Sequence, residues 1–311
     1  MNKHLFGNEI KKELICNVYH DEREIHGKWL YHGFLFIPSE KEKEFLEDLN
    51  KAREESKWEK ELHFVDLKDT CTMNDLAIRW INLFCSKYRK LSYFYFFGVD
   101  YNKLAKDMWQ NKKTRDFKIY NRFFQIGLYG AIKWFFVNQT SDFQKVVIEN
   151  IYSDAKSRMP NDKFHSQPIA EVEFKSLIKD EPITFQCSEI IEVESNHDEE
   201  IRYKEASHVI QFVDLVIGGV SQVLDNTSKH EGKCGVAKIL IRVGLPKEIM
   251  GYSQIHFDSV YYKKYAVSFF PKEKLSKDQI VNKSIFAQKN QFYNERTLAF
   301  CNKNQINLFG D

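Results

Sequence analysis

The stretch NVYHDERE, residues 17–24, decides how this chain is read. It begins as a strand: alternation puts Cys16, Val18 and His20 on one side and Asn17, Tyr19 and Asp21 on the other. It then runs straight into two adjacent acids, Asp21 and Glu22. Carboxylates are poor strand residues and costly to bury. A hydrophobic strand that ends in charge therefore needs a reason for the charge.

Working outward, residues 15–20 predict a first strand, and KWLYHGFLFI (28–37) a second, joined through Gly27 as an antiparallel hairpin. A charged helix follows near 40–60, with Ser39 and Glu42 spaced as a capping box and most of its surface solvated. ELHFVDL (61–67) reads as a short third strand. Asn74 is placed to cap the helix DLAIRWINLFCSKYRKL, and SYFYFFGV (92–99) is a continuous aromatic run expected to be a strand buried on both faces. Beyond a basic, irregular 101–115 come a helix at 116–137, the strand QKVVIENIYSD (144–154), a helix at 164–179 and the strand SEIIEVES (188–195). The hydrophilic insertion 196–206 leads into the apolar helix 207–226. Early paired strands followed by strands alternating with helices predict an α/β fold: a mixed sheet, antiparallel at first and parallel later, flanked by helices. Residues 1–230 form one domain, with a helical insertion near 40–60. Residues 231–311 form a C-terminal extension packed on it, with a helix-like 234–245, a strand-like 261–270 and an Asn- and Gln-rich end.

Composition narrows the class. The chain has 311 residues, 43% hydrophobic, and its 46 basic and 44 acidic residues leave a net charge of +2. Overall charge is therefore silent about nucleic acid, and a local patch has to decide. Six cysteines without a C-x-x-C pair argue against a zinc ribbon and fit reduced thiols in a cytoplasm. The N-terminus is polar, and the longest apolar run, AIKWFFV (131–137), is too short for a bilayer, so no membrane partner is expected. Neither a Walker A nor a G-x-G-x-x-G loop is present, nor a G-x-S-x-G elbow.

The acids recur at one topological position. Asp21 and Glu22 end the first strand, Asp154 ends 144–154, and Glu192 and Glu194 lie on 188–195. The crevice outside strand carboxyl ends is where open α/β sheets bind ligands. Carboxylates gathered there repel one another, and Mg²⁺ or Mn²⁺ relieves the repulsion. Two such ions can activate water and stabilise the leaving oxygen of a phosphodiester. On helix 207–226, Ser207, Gln211, Asp214 and Gly218 share one face of an otherwise apolar element, which suggests a polar cleft that Asp214 completes. Taken singly, each acid reads as a solvent contact or a helix cap. His20 is a metal ligand or base, or else a packed and hydrogen-bonded strand histidine. Lys156 and Arg158 hold phosphate, or are a solvated basic pair.

VYHDE, IYSDAKSR and VIQFVDLVIGGV together resemble a bacterial family catalogued as domain-of-unknown-function family 3800, which looks like a branch of the RNase H-like superfamily. The resemblance covers about residues 15–225. It matches Tyr19-His20-Asp21-Glu22 to a Tyr-x-Asp-Glu-Ser-Gly strand, Tyr152, Asp154 and Lys156 to a middle strand, and Ser207, Gln211, Asp214, Leu215 and Gly218 to a late helix. Glu194-Ser195 fits an acid-Ser pair before that helix, with Glu205 a competing fit, and Glu61 corresponds to a family Glu. Arg23 and Glu24 depart from the Ser-Gly of the pattern, and His63 stands at a Lys-like position.

The resemblance implies a metal-dependent nuclease, a setting in phage defence or mobile elements, and a protein partner from such a system. Asp21, Asp154 and Asp214 would bind Mg²⁺ or Mn²⁺ and, with Glu22 or Glu194, carry catalysis. Lys156, Gln211 and Ser207 would meet a nucleic-acid substrate, DNA or RNA. The alternatives are an inactive RNase H-like module that binds protein or nucleic acid, and an enzyme acting on a small phosphorylated molecule.

Overall fold

The computed structural model describes residues 11–25, 29–104, 115–137, 143–156, 162–225, 228–242 and 264–270. Its centre is a seven-stranded mixed sheet. β1 (Lys11–Ile25) and β2 (Trp29–Pro38) pair antiparallel, with His20 opposite Phe34 and Asp21 opposite Gly33. β3 (Tyr93–Asp100) pairs antiparallel on the far side of β2. On the other side of β1, β4 (Phe143–Asp154) runs parallel, bringing His20 beside Ser153. The short strands β5 (Ile183–Phe185) and β6 (Ile191–Val193) pair parallel with the middle and the end of β4. β7 (Tyr265–Phe270) closes the opposite edge, parallel to β3.

Helices cover both faces, and the alternation in β1 sorts them. Tyr19, Tyr31 and Leu35 face a core with α1 (Ser39–Ser56), α2 (Thr72–Leu83), α5 (Lys204–Asp225) and α6 (Glu231–Arg242). Cys16, Val18 and Phe34 face a second core with α3 (Arg115–Ile132) and α4 (Gln167–Ile178). The aromatic run behaves as expected: Phe94 and Phe96 enter the first core, and Tyr93, Tyr95 and Phe97 the second. α5 is long and apolar enough to cross a membrane, but 94% of its apolar window is buried, so its hydrophobicity serves the interior. α6 packs on α5 and α2, so the described parts of the extension belong to the same cores. Residues 271–311 lie outside the described residues, as does Arg158.

Several expectations are corrected. Residues 61–67 do not form a strand; they make an extended segment ending in a single 3-10 turn, Phe64–Asp66. Leu62 N donates to Gln211 Oε1 at 3.0 Å, and Phe64 N to Asp214 Oδ2 at 2.7 Å. Alternate N–H groups are thus satisfied by side chains of α5, which replace a neighbouring strand while preserving a strand-like sequence pattern. The capping box is absent, because Pro38 is the N-cap and makes no side-chain bond. Ser39 instead donates to Glu149 at 2.8 Å, while Glu42 accepts from Asn17 and Tyr19. Asn74 lies inside α2, where its Nδ2 bonds the Lys68 carbonyl at 2.7 Å. The strand at 188–195 shrinks to three residues, and β5 was not foreseen.

Candidate metal centre

The acidic pair stands where β1 and β4 part company. Their last paired residues are His20 and Ser153, so Asp21 and Asp154 follow side by side on one face. Glu22 points to the other face, towards α3. Oxygens of Asp21, Glu22 and Asp154 nevertheless lie within 4.8 Å of one another. Asp21 is only 6% exposed. Burial, then repulsion from Asp154 and Asp214, raises its carboxyl well above the usual range. Burial and Asp214 likewise push Asp154 up from 3.8 to about 7. Asp154 Oδ1 is buried without a hydrogen-bond partner, which is rare for a carboxylate oxygen. Clustered acids, one with an orphaned oxygen, fit a hard divalent cation.

Asp214 approaches from α5 and belongs to a different network. It accepts from Phe64 N and lies 3.5 Å from His63 Nδ1. His63 Nε2 is 2.8 Å from Glu61, which also accepts from Ser195 Oγ at 2.5 Å. Hydrogen bonds to Asp214 and then Glu61 raise His63 to about 11, which favours its protonated form. Burial works upward on Glu61, but bonds from His63 and Ser195 outweigh it and lower its pKa. Asp214 is therefore a neighbouring charge to the close cluster of Asp21, Glu22 and Asp154, not one of its members.

Glu22 is held from both sides. Its Oε1 pairs with Lys156, and its Oε2 accepts from Tyr120 of α3 at 2.7 Å. The Lys156 ammonium also lies over the Tyr120 ring. Glu194 is exposed at the end of β6, where it adds repulsion to Asp154 from the rim. Arg23, which departs from the family pattern, lies over the Phe64 ring at 5.0 Å. That ring rests on Gly218: a Cβ there would sit 2.0 Å from Phe64 Cγ, so only glycine permits the contact.

The polar strip of α5 faces a sealed seam. Gln211 is 1% exposed. Its Oε1 accepts from Leu62 N and from Arg53 at 2.6 Å, and its Nε2 donates to the Ser195 carbonyl at 2.6 Å. Ser207 is fully buried and bonds its own helix at the Lys204 carbonyl. The expected substrate contacts of Gln211 and Ser207 are thus corrected: Gln211 fastens α5 to Leu62 and to Ser195, while Ser207 is spent inside its own helix. His20 resolves to its packed alternative, buried and bonded to Ser153 at 3.0 Å and to His32 at 2.9 Å.

Sequence reasoning missed Tyr120 and Arg53. Tyr120 gave no signal, since it occupies a core-facing position of α3. Arg53 was legible in principle: it continues the buried row Phe45, Leu46 and Leu49 of a helix otherwise read as solvated. The chain matches no family model, and no curated protein is significantly similar to it.

Proposed function

We propose that this chain is a divalent-metal-dependent phosphodiesterase acting on nucleic acid, in the cytoplasm. The observation that carries the reading is the close cluster of Asp21, Glu22 and Asp154, with a buried Asp154 oxygen lacking a partner. Asp21 and Asp154 would hold Mg²⁺ or Mn²⁺, with Glu22 completing the shell. The bound ion supplies Lewis-acid stabilisation and a more acidic water. Asp214 and Glu61 hold His63 between them beside the cluster, where its positive charge would offset part of the carboxylates' repulsion of an anionic phosphate. Lys156, paired with Glu22, is placed to exchange that carboxylate for a substrate phosphate. The sheet order is consistent with an RNase H-like layout. On the resemblance to family 3800, a partner from a defence system would control the activity.

A second reading has its own support. Both oxygens of Glu22 are already engaged, by Lys156 and Tyr120, as expected of an RNase H-like module that binds without cleaving. Cleavage of DNA and RNA with Mg²⁺ or Mn²⁺ separates the two. Activity in the wild type that is lost in Asp21→Ala and Asp154→Ala supports the enzyme. Equal activity in all three sinks it. A catalytically silent wild type that Mn²⁺ fails to stabilise against heat leaves the binding module.

A further inference from the structure

Between α3 and α4 lies a cavity of about 360 Å³ that no role above uses. Lys118 and Arg122 of α3 and Lys163 before α4 line it, against a single carboxylate, Glu171. Glu171 is already satisfied: Gln167 donates to it at 2.7 Å, Gln125 donates as well, and Arg122 lies 3.6 Å away. Arg122 is further fixed by Gln125 Oε1 at 2.8 Å. Lys118 and Lys163 make no ion pair among the described residues. The excess of positive charge is felt nearby, where burial and then Arg122 hold Lys175 below the usual lysine range.

The first turn of α4 opens on the same cavity through Gln167 and Pro168. Its N-cap, Ser166, makes no side-chain capping bond. The positive end of a 12-residue helix therefore adds to the cations. A solvated basic face would be convex and charge-balanced; this one is concave, with its acid neutralised. The cleft and the carboxylates share α3 but lie on different sides of it. Lys118 and Arg122 line the cleft, while Tyr120, two residues from each, turns into the core and to Glu22, so a nucleic-acid strand joining the two passes round the helix. Tyr120, which holds Glu22, sits between Lys118 and Arg122 on α3, within one turn, or about 5 Å along the axis.

We propose that the α3–α4 cleft binds the phosphate backbone of the nucleic-acid strand whose scissile bond reaches the carboxylates. Lys118 and Lys163 act as point charges and Arg122 as a fixed fork. The identity of the strand as substrate rests on the function proposed above; its binding in the cleft does not need cleavage.

The test measures binding of labelled single-stranded DNA and RNA to the full chain in EDTA, by anisotropy across a salt series. Lys118→Glu/Lys163→Glu is compared with wild type and with Lys43→Glu/Lys51→Glu, a charge-matched pair on exposed α1 positions. The expected result is at least a tenfold loss of affinity in the cleft pair alone. The slope of log K against log salt should fall by about 1.4, two contacts at about 0.7 each. Lys118→Gln/Lys163→Gln, melting as wild type does, should show the loss without charge reversal. No binding by wild type, equal loss in the α1 pair, or unchanged binding in the cleft pair overturns the proposal. So does a cleft pair that keeps its nucleic-acid affinity but no longer binds inorganic pyrophosphate, titrated in parallel by calorimetry, as wild type does, since that marks a small-phosphate site. Cleft-dependent binding without metal-dependent cleavage sinks the phosphodiesterase reading and leaves this one standing. Cleavage by a chain whose cleft pair binds normally does the reverse.

Discussion

Replacing Asp154 with Asn should stabilise the metal-free protein, and the size of the effect follows from the site. Asp154 titrates near 7 in the fold, against 3.8 for an ordinary Asp. The folded chain therefore holds a proton that the unfolded chain releases. Stability contributed by this group falls as pH rises from about 4 to about 7 and stays low above that. A shift of about 3 units at 1.36 kcal/mol each gives about 4 kcal/mol of destabilisation at pH 8. Asn keeps the shape without the charge but buries an amide, so a gain of about 2–4 kcal/mol is expected. Urea denaturation in EDTA measures it. Asp154→Asn should be more stable than wild type at pH 8 and nearly equal to it at about pH 4. Saturating Mn²⁺ should then narrow or reverse the gap, by about 2.7 kcal/mol at a hundredfold excess over Kd. A variant no more stable at pH 8, or a gap independent of pH, would refute the reasoning.

Other outcomes follow from the same geometry. Lys156→Met should tighten Mn²⁺ binding in calorimetry, because an ion no longer competes with an ammonium for Glu22. Gln211→Ala should cost about 2 kcal/mol or more in urea denaturation, since Leu62 N and the Ser195 carbonyl lose a buried partner. Gly218→Ala should cost about 1–3 kcal/mol by displacing the Phe64 ring. It should also weaken Mn²⁺ binding if the 61–64 segment positions Asp214.

The sequence exposed much of this arrangement because β1 and β4 obey a period of two. Contrary to expectation, the first strand does not end at Asp21 but runs on to Ile25 beside β2. Its pairing with β4 stops at His20 and Ser153, and that parallel register is what brings Asp21 and Asp154 together. The late helix was legible too, but its meaning was not. A polar strip on an apolar helix reads the same whether it faces a cleft or a sealed seam; only the donors of Leu62, Phe64 and Arg53 settle that it faces a seam. The strand-like pattern of 61–67 misled for a related reason, since side-chain acceptors from α5 imitate a ladder. Ser39 and Glu42 fit a capping box in spacing, yet Glu42 is drawn to Tyr19 and Asn17, residues far away in sequence. Long-range partners of that kind leave no mark on local pattern. The cleft between α3 and α4 was hidden likewise, because its lysines come from separate elements of a nearly neutral chain.

The central claim is that the carboxylates of β1 and β4 form a metal site. Anomalous diffraction from crystals of the full chain soaked in Mn²⁺ tests it most directly. The account predicts a peak bounded by Asp21 and Asp154, with Glu22 in or beside the ligand shell and Asp214 behind it. Mn²⁺ bound elsewhere, or no peak between Asp21 and Asp154 at saturating concentration, would contradict it.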